Sequence, residues 1–211
     1  MNELTHPGGL DITKKAFDIC GLPESAKVLD VGCGCGNTAG YLQDQCGFCV
    51  TGIDKSAEAI SQAKKKHPGL ELMEGDWQLL NFDPRSFDCV LMECTLSLMP
   101  NPIEAIHEAF RVLREGGYLV VHDLYLPEPS KEERRSMCAS NGALVLEDID
   151  AALNELGFET ILFEDRKADL NSFAASLIFN GGSLDDCYRS EAKQCKTKMS
   201  YYLQIARKVK K

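Results

Sequence analysis

Residues 26–36 read Ala-Lys-Val-Leu-Asp-Val-Gly-Cys-Gly-Cys-Gly, an apolar run that breaks into three glycines at alternate positions. An acid, Asp54, closes the next apolar run, Cys49-Val50-Thr51-Gly52-Ile53-Asp54. This pattern predicts a buried strand, a tight turn and a helix. Glycine lets the backbone approach a ligand where a Cβ would collide, and a helix start offers unpaired N–H groups to whatever sits there. Asp54 then stands where an acid accepts both hydroxyls of a ribose. The constellation points to a nucleoside site.

The details select among nucleosides. A dinucleotide fingerprint requires Gly-x-Gly-x-x-Gly, but counting from Gly32 the third glycine falls on Asn37, and counting from Gly34 it falls on Ala39. In its place the chain carries Asp30, suited to a cationic amino group and unwelcome beside a pyrophosphate. This loop resembles motif I of the class I S-adenosylmethionine (SAM) methyltransferases. Further motifs of that family follow in order: Gly52-Ile53-Asp54, Glu74-Gly75-Asp76-Trp77, Phe87-Asp88-Cys89-Val90-Leu91-Met92, and Leu113-Arg114-Glu115-Gly116-Gly117 running into Tyr118-Leu119-Val120-Val121. The resemblance covers residues 7 to about 125 and implies SAM (S-adenosyl-L-methionine) as cofactor. It places Asp30, Gly32, Cys33, Gly34 and Gly36 at the methionine and backbone side, Asp54 with Lys55 at the ribose, Asp76 and Trp77 at the adenine, and Glu93 facing the methionine.

Apolar periodicity and turn chemistry predict a helix over 10–21, then strand 27–31, helix 37–46, strand 48–53, helix 56–66, strands 70–74 and 87–93, helix 102–114, strand 117–123, helix 146–156 and strand 158–164. Ser56 and Asn101-Pro102 supply helix starts. Gly116-Gly117 is expected to end the helix before strand five. Alternation of this kind implies a parallel sheet with right-handed crossovers. Helices near 168–179 and 183–193 precede Tyr201–Ala206, a strand that in the resembled family inserts antiparallel. The expected fold is therefore α/β, a three-layer sandwich around a seven-stranded sheet of order 3-2-1-4-5-7-6. The segment 124–145, with Pro127, Pro129 and the charged run Lys131 to Arg135, is long enough to act as a lid or substrate element.

Composition narrows the class of partner. The chain has 211 residues and a net charge of −9, with 32 acids against 23 bases. Such a balance repels nucleic acid, so a small-molecule substrate is expected. The length suits one domain over 1–211. No apolar stretch reaches a membrane span, and the first residues lack the features of a signal peptide. A cytoplasmic location is expected. The sequence does not speak to oligomeric state.

Ten cysteines are many for such a chain, and in a reducing compartment they are thiols. Cys46-Gly-Phe-Cys49 has no second pair at zinc-site spacing, so no metal site is expected. Cys20, Cys49 and Cys89 sit in apolar-patterned elements and read as core. Cys94 follows strand four, near the reacting centre. Cys94, with Cys138 ahead of Gly142-Ala143-Leu144 and Glu147-Asp148, is similar to the cysteine placement of arsenite methyltransferases. By that likeness Cys94 and Cys138 would hold a trivalent metalloid, which thiolates prefer to oxygen ligands, and no base is required. Cys46 matches that family's further cysteine only loosely, and the additional domain common in that family is not expected here. The ends, His6-Pro7-Gly8-Gly9-Leu10 and Tyr201 to Arg207, resemble a compact branch of bacterial methyltransferases. Two other readings stay open. An oxygen, nitrogen or carbon acceptor would look to His122, ending strand five beside Asp123, as its base, and a protein that binds SAM or a metal without turnover is the third.

Overall fold

The computed structural model describes residues 6–77, 79–130, 143–182 and 199–209. Seven strands form one sheet: β1 Lys27–Val31, β2 Cys49–Asp54, β3 Glu71–Glu74, β4 Phe87–Glu93, β5 Leu113–Tyr125, β6 Phe158–Asp165 and β7 Ser200–Lys208. Their order is 3-2-1-4-5-7-6. Strands β1 to β5 pair in parallel, and β7 runs antiparallel to both β5 and β6. The expected sheet is therefore the observed one.

The helices are α1 Gly9–Cys20, α2 Asn37–Cys46, α3 Ala57–Lys66, α4 Pro102–Val112, α5 Leu146–Leu156 and α6 Lys167–Phe179. Two buried clusters divide the molecule into layers. One joins Leu29, Val31, Val90 and Met92 of the sheet to Ile106 and Ala109 of α4 and Ile149 and Leu153 of α5. The other joins Val28, Val50, Leu91 and Leu203 to Ile12 and Phe17 of α1, Leu42 of α2, Ile60 of α3 and Leu170 of α6. Strands buried on both faces are continuous apolar runs, which is how β1 and β4 read in the sequence. Helix α1, expected over strand one, reaches further and also contacts β7.

Helix starts follow the expected chemistry. The Ser56 side chain accepts from the Ala59 amide at 3.2 Å, and the Asn101 side chain accepts from Glu104 at 3.4 Å. The end of α4 does not. It stops at Val112, before Gly116-Gly117, and those glycines lie instead in a bulge where the β4–β5 register jumps from Phe87↔Leu113 to Cys89↔Tyr118. The reason is Lys208. Its buried ammonium donates to the carbonyls of Phe110 at 2.7 Å and Leu113 at 2.8 Å, satisfying the helix's last acceptors from outside.

The expected helix over 183–193 lies outside the described residues, as does most of the segment 124–145. The two ends of that segment are tied together: Leu126 donates to Leu144, and Leu144 donates to Leu124, both at 2.9 Å. No helix among the described residues is long and apolar enough to cross a membrane.

Candidate active site

The carboxyl ends of β1, β2, β4 and β5 meet on one side of the sheet, where open parallel sheets bind ligands. Two arrangements stand side by side there.

The first is the loop after β1. The amides of Gly32 and Cys33 both donate to Ile53 of β2, at 2.8 and 3.0 Å, and Gly36 donates back to Cys33 at 2.9 Å. These bonds fix the turn and leave Cys33 a structural part of it, its sulfur packed toward Gly52. Gly32 has φ 80, and a Cβ there would stand 2.4 Å from Thr95 Oγ1 and Cγ2. Gly34 has φ 51, and a Cβ there would meet nothing within 4 Å. The loop is thus closed toward the protein at Gly32 and open at Gly34. The first bond at the start of α2 is Gly40 N–H to the Gly36 carbonyl, so the amides of residues 37–39 have no backbone partner.

Two acids, Asp54 and Asp30, border this loop, and a third, Asp76, follows β3. Asp54 accepts from the Gly34 amide through Oδ2 at 2.9 Å and from the Ser56 amide through Oδ1 at 2.8 Å, which orients its carboxylate. Asp30 is 2% exposed and its Oδ2 has no hydrogen-bond partner. Burial first, then the neighbouring charges of Glu93 and Asp54, push its carboxyl well above the usual range. Such burial favours the neutral acid, and a cation placed beside it would draw it back toward the carboxylate. Asp76 is exposed; Trp77 is buried, with the Lys55 ammonium 4.6 Å from its ring centroid. Trp77 is packed in the core, and its Nε1 has no hydrogen-bond partner.

The second arrangement starts at Glu93, which the family resemblance leads one to expect facing a methionine. Both its oxygens are taken by protein donors: Thr13 Oγ1 and Thr38 Oγ1 at 2.6 Å each, and His122 Nε2 at 2.7 Å. His6 Nε2 lies 3.5 Å away. Burial drives the Glu93 carboxyl up, but the charge and hydrogen bond of His122, with His6 and Thr13, outweigh it and bring the group down to about 2. Glu93 is the register partner of His122 across β4 and β5, so this pairing follows from the sheet itself.

His122 is fully buried. Because the Glu93 carboxylate carries no proton, His122 Nε2 donates to it. Its Nδ1 lies 2.7 Å from the Tyr201 hydroxyl, and that hydroxyl lies 3.1 Å from Cys94 Sγ. Tyr201 is fully buried, and burial followed by the Cys94 sulfur pushes its phenol well up. Cys94 holds φ 50, uncommon for a residue other than glycine, with its amide bound to the His122 carbonyl at 2.9 Å. Asp123, buried beside His122, is occupied elsewhere: it accepts from the Ser97 amide at 2.8 Å and hydroxyl at 2.6 Å.

Of the residues singled out in the sequence, Asp30, Gly32, Gly34, Gly36, Asp54, Glu93, Cys94 and His122 converge on this side. Cys138 lies outside the described residues. Sequence reasoning missed Tyr201, His6, Thr13 and Thr38. Tyr201 was legible in principle, since it stands two residues along β7 from Leu203, the register partner of His122, and so shares its face. Nothing in the pattern marked His6 or Thr13.

Residues 29–121 match a family model described as the methyltransferase domain. The chain is 33% identical over 138 residues to the methyltransferase YodH of Bacillus subtilis, covering 63% of this chain and 58% of that protein. It spans little more than half the length of the curated relatives it matches first. Among solved structures it superposes on phosphoethanolamine N-methyltransferase 2 of Haemonchus contortus, in complex with SAM, with a TM-score of 0.78 at 16% identity, covering 99% of this chain and 55% of that one. It superposes equally on the (4+2)-cyclase SpnF, with a TM-score of 0.77 at 23% identity, covering 99% of this chain and 85% of that one. The sheet order and these superpositions give the chain the Rossmann-like α/β fold of its solved neighbours, and the stretch from β1 into β5 is the part that matches the methyltransferase domain model.

Proposed function

We propose that the protein is a SAM-dependent methyltransferase acting on a small-molecule acceptor. The observation that carries this reading is Asp30: a fully buried carboxyl with an unpartnered oxygen, beside a loop that is open at Gly34. When bound, SAM supplies a sulfonium methyl group to an electron pair on the acceptor. The cation that Asp30 lacks is the amino group of the methionine part. Asp54, oriented by Gly34 and Ser56, would take the ribose hydroxyls, and Asp76 and Trp77 would border the adenine. A pyrophosphate would bring negative charge to Asp30 and Asp54 and is disfavoured. Family membership of the relatives supports the same cofactor.

Two acceptor classes follow from different residues. Cys94 and Cys138 would chelate a trivalent metalloid such as arsenite, and the place of Cys94 at the end of β4 supports that reading. An oxygen, nitrogen or carbon acceptor would need a base, and His122 would serve only through Tyr201, because both its ring nitrogens are engaged and the ring is buried. A protein that binds SAM without turnover is the contrasting case. Incubation with methyl-labelled SAM and a panel of arsenite, selenite, thiols, quinols and amines separates these. Label on any one acceptor supports methyl transfer and names the class; SAM binding with no label on any of them favours the non-catalytic reading.

A further inference from the structure

Cys94, Tyr201, His122 and Glu93 make an unbroken line of contacts at 3.1, 2.7 and 2.7 Å, drawn from β7, β5 and β4 and the residue after it. The two bonds made by the Tyr201 hydroxyl are able to reverse, while His122 Nε2 donates to Glu93 in both states. In one direction the Cys94 thiol donates to the Tyr201 oxygen, the Tyr201 hydroxyl donates to His122 Nδ1, and His122 Nε2 donates to Glu93. In the other, His122 carries both protons, Nδ1 donates to the Tyr201 oxygen, and Tyr201 donates to a sulfur that has lost its proton. We propose that Glu93, His122 and Tyr201 form a proton relay that holds Cys94 as a thiolate paired with a His122 imidazolium, making it a nucleophilic thiol on the acceptor side of the site.

The proton balance is internal. The Cys94 S–H bond breaks, its proton passes to Tyr201, the phenol's own proton passes to His122 Nδ1, and the positive charge rests against the Glu93 carboxylate. Three observations support the charged form. Glu93 is ionised in its buried place, held there by Thr13 and Thr38 as well as by His122, so a carboxylate stands ready for the imidazolium. His6, whose ring centroid is 4.9 Å from that of His122, is pushed down by burial, which weakens it as a rival for the positive charge. The left-handed backbone at Cys94, pinned by its amide to the His122 carbonyl, fixes the sulfur against Tyr201. Other groups facing the line act the opposite way. Asp30 on β1 and Asp123 on β5 are acids near Glu93 and Tyr201, and both are pushed up by burial, which reduces their negative charge.

The proposal rests on the methyl-transfer reading only for the word acceptor; the thiol's state does not depend on it. Its test is an ultraviolet thiolate titration of the whole protein, taken as the difference between wild type and Cys94→Ser, and repeated on a Tyr201→Phe background. An ordinary thiol has a midpoint of about 8.5 and is about 3% thiolate at pH 7. Cys94 is expected to be half or more thiolate at pH 7, and Tyr201→Phe to raise its midpoint by about one unit. Alkylation by iodoacetamide, followed on the Cys94 peptide by mass spectrometry, should show the same two midpoints. A wild-type midpoint at or above the ordinary value overturns the proposal, and so does a midpoint that Tyr201→Phe leaves in place. If Tyr201→Phe fails to fold, the wild-type titration alone decides. Calorimetry with SAM on the same samples keeps the two readings apart, since lost SAM binding would sink the methyl-transfer reading and leave the thiol midpoint standing.

Discussion

The two halves of the site handle their buried charge in opposite ways. Around the loop after β1, Asp30 is buried with an oxygen that no protein group satisfies. Across the sheet, Glu93 is largely buried too, yet Thr13, Thr38 and His122 bind both its oxygens. An orphaned acid is a cost to the fold that a cationic ligand removes, whereas a satisfied one contributes to stability. The first half leaves a buried acid without a donor for one oxygen, and the second half closes on itself.

Gly32 offers the sharpest way to break the first half. Its Cβ would collide with Thr95, which cannot easily turn away because its hydroxyl is bound to the Glu93 carbonyl at 2.7 Å. Gly32→Ala should cost about 3 to 4 kcal/mol in urea unfolding, combining left-handed strain with overpacking. A loss under about 1 kcal/mol would mean the loop is looser than described.

The second half is tested by pH. The Glu93 carboxyl is brought down to about 2 in the folded protein, from an ordinary value near 4.5. Its contribution is therefore present above about 4.5 and lost as pH falls toward 2. Glu93→Gln should lower stability by about 2 to 3 kcal/mol at pH 7, and the gap to wild type should close in acid. A gap that stays constant from pH 7 to pH 3 would contradict the ionised, paired carboxylate.

Asp30 should answer with the opposite sign. Its folded carboxyl is pushed up, so the folded state holds its proton more tightly than the unfolded chain and stability falls as pH rises above the unfolded value. Asp30→Asn should raise the stability of the ligand-free protein at pH 7 by about 1 kcal/mol, less at pH 3, while weakening SAM. Thermal unfolding at the two pH values reads the first effect. The smallest effect is expected at Cys35, which is exposed and only touches Gln62 through its sulfur at 3.4 Å. Cys35→Ser should leave stability within about 0.5 kcal/mol and SAM binding unchanged, since the loop works through its backbone.

Much of the first half was legible in the sequence because glycine spacing and strand-terminal acids are local signals. Asp30, Gly32, Gly34 and Asp54 all stand where the pattern put them. The second half is a product of register. Glu93 and His122 were visible as strand ends, but their pairing depends on how β4 sits beside β5, and Tyr201 enters from a strand almost eighty residues later in the chain. Glu93 is expected from the resemblance to face the methionine, and register adds that its oxygens are bound by Thr13, Thr38 and His122. The helix end at Gly116-Gly117 failed for the same reason: a lysine near the carboxyl end, Lys208, does the capping that local glycines were expected to do.

Asp30, with its unpartnered Oδ2, and the open loop at Gly34 are proposed to form a SAM site. Isothermal calorimetry of the wild-type protein with SAM, with NAD as control, tests it most directly, and Asp54→Ala sets the scale. SAM should bind and NAD should not, and Asp54→Ala should weaken SAM by about 1.5 to 3 kcal/mol, the worth of hydrogen bonds to a charged group. Micromolar binding of NAD with no heat from SAM would contradict the account.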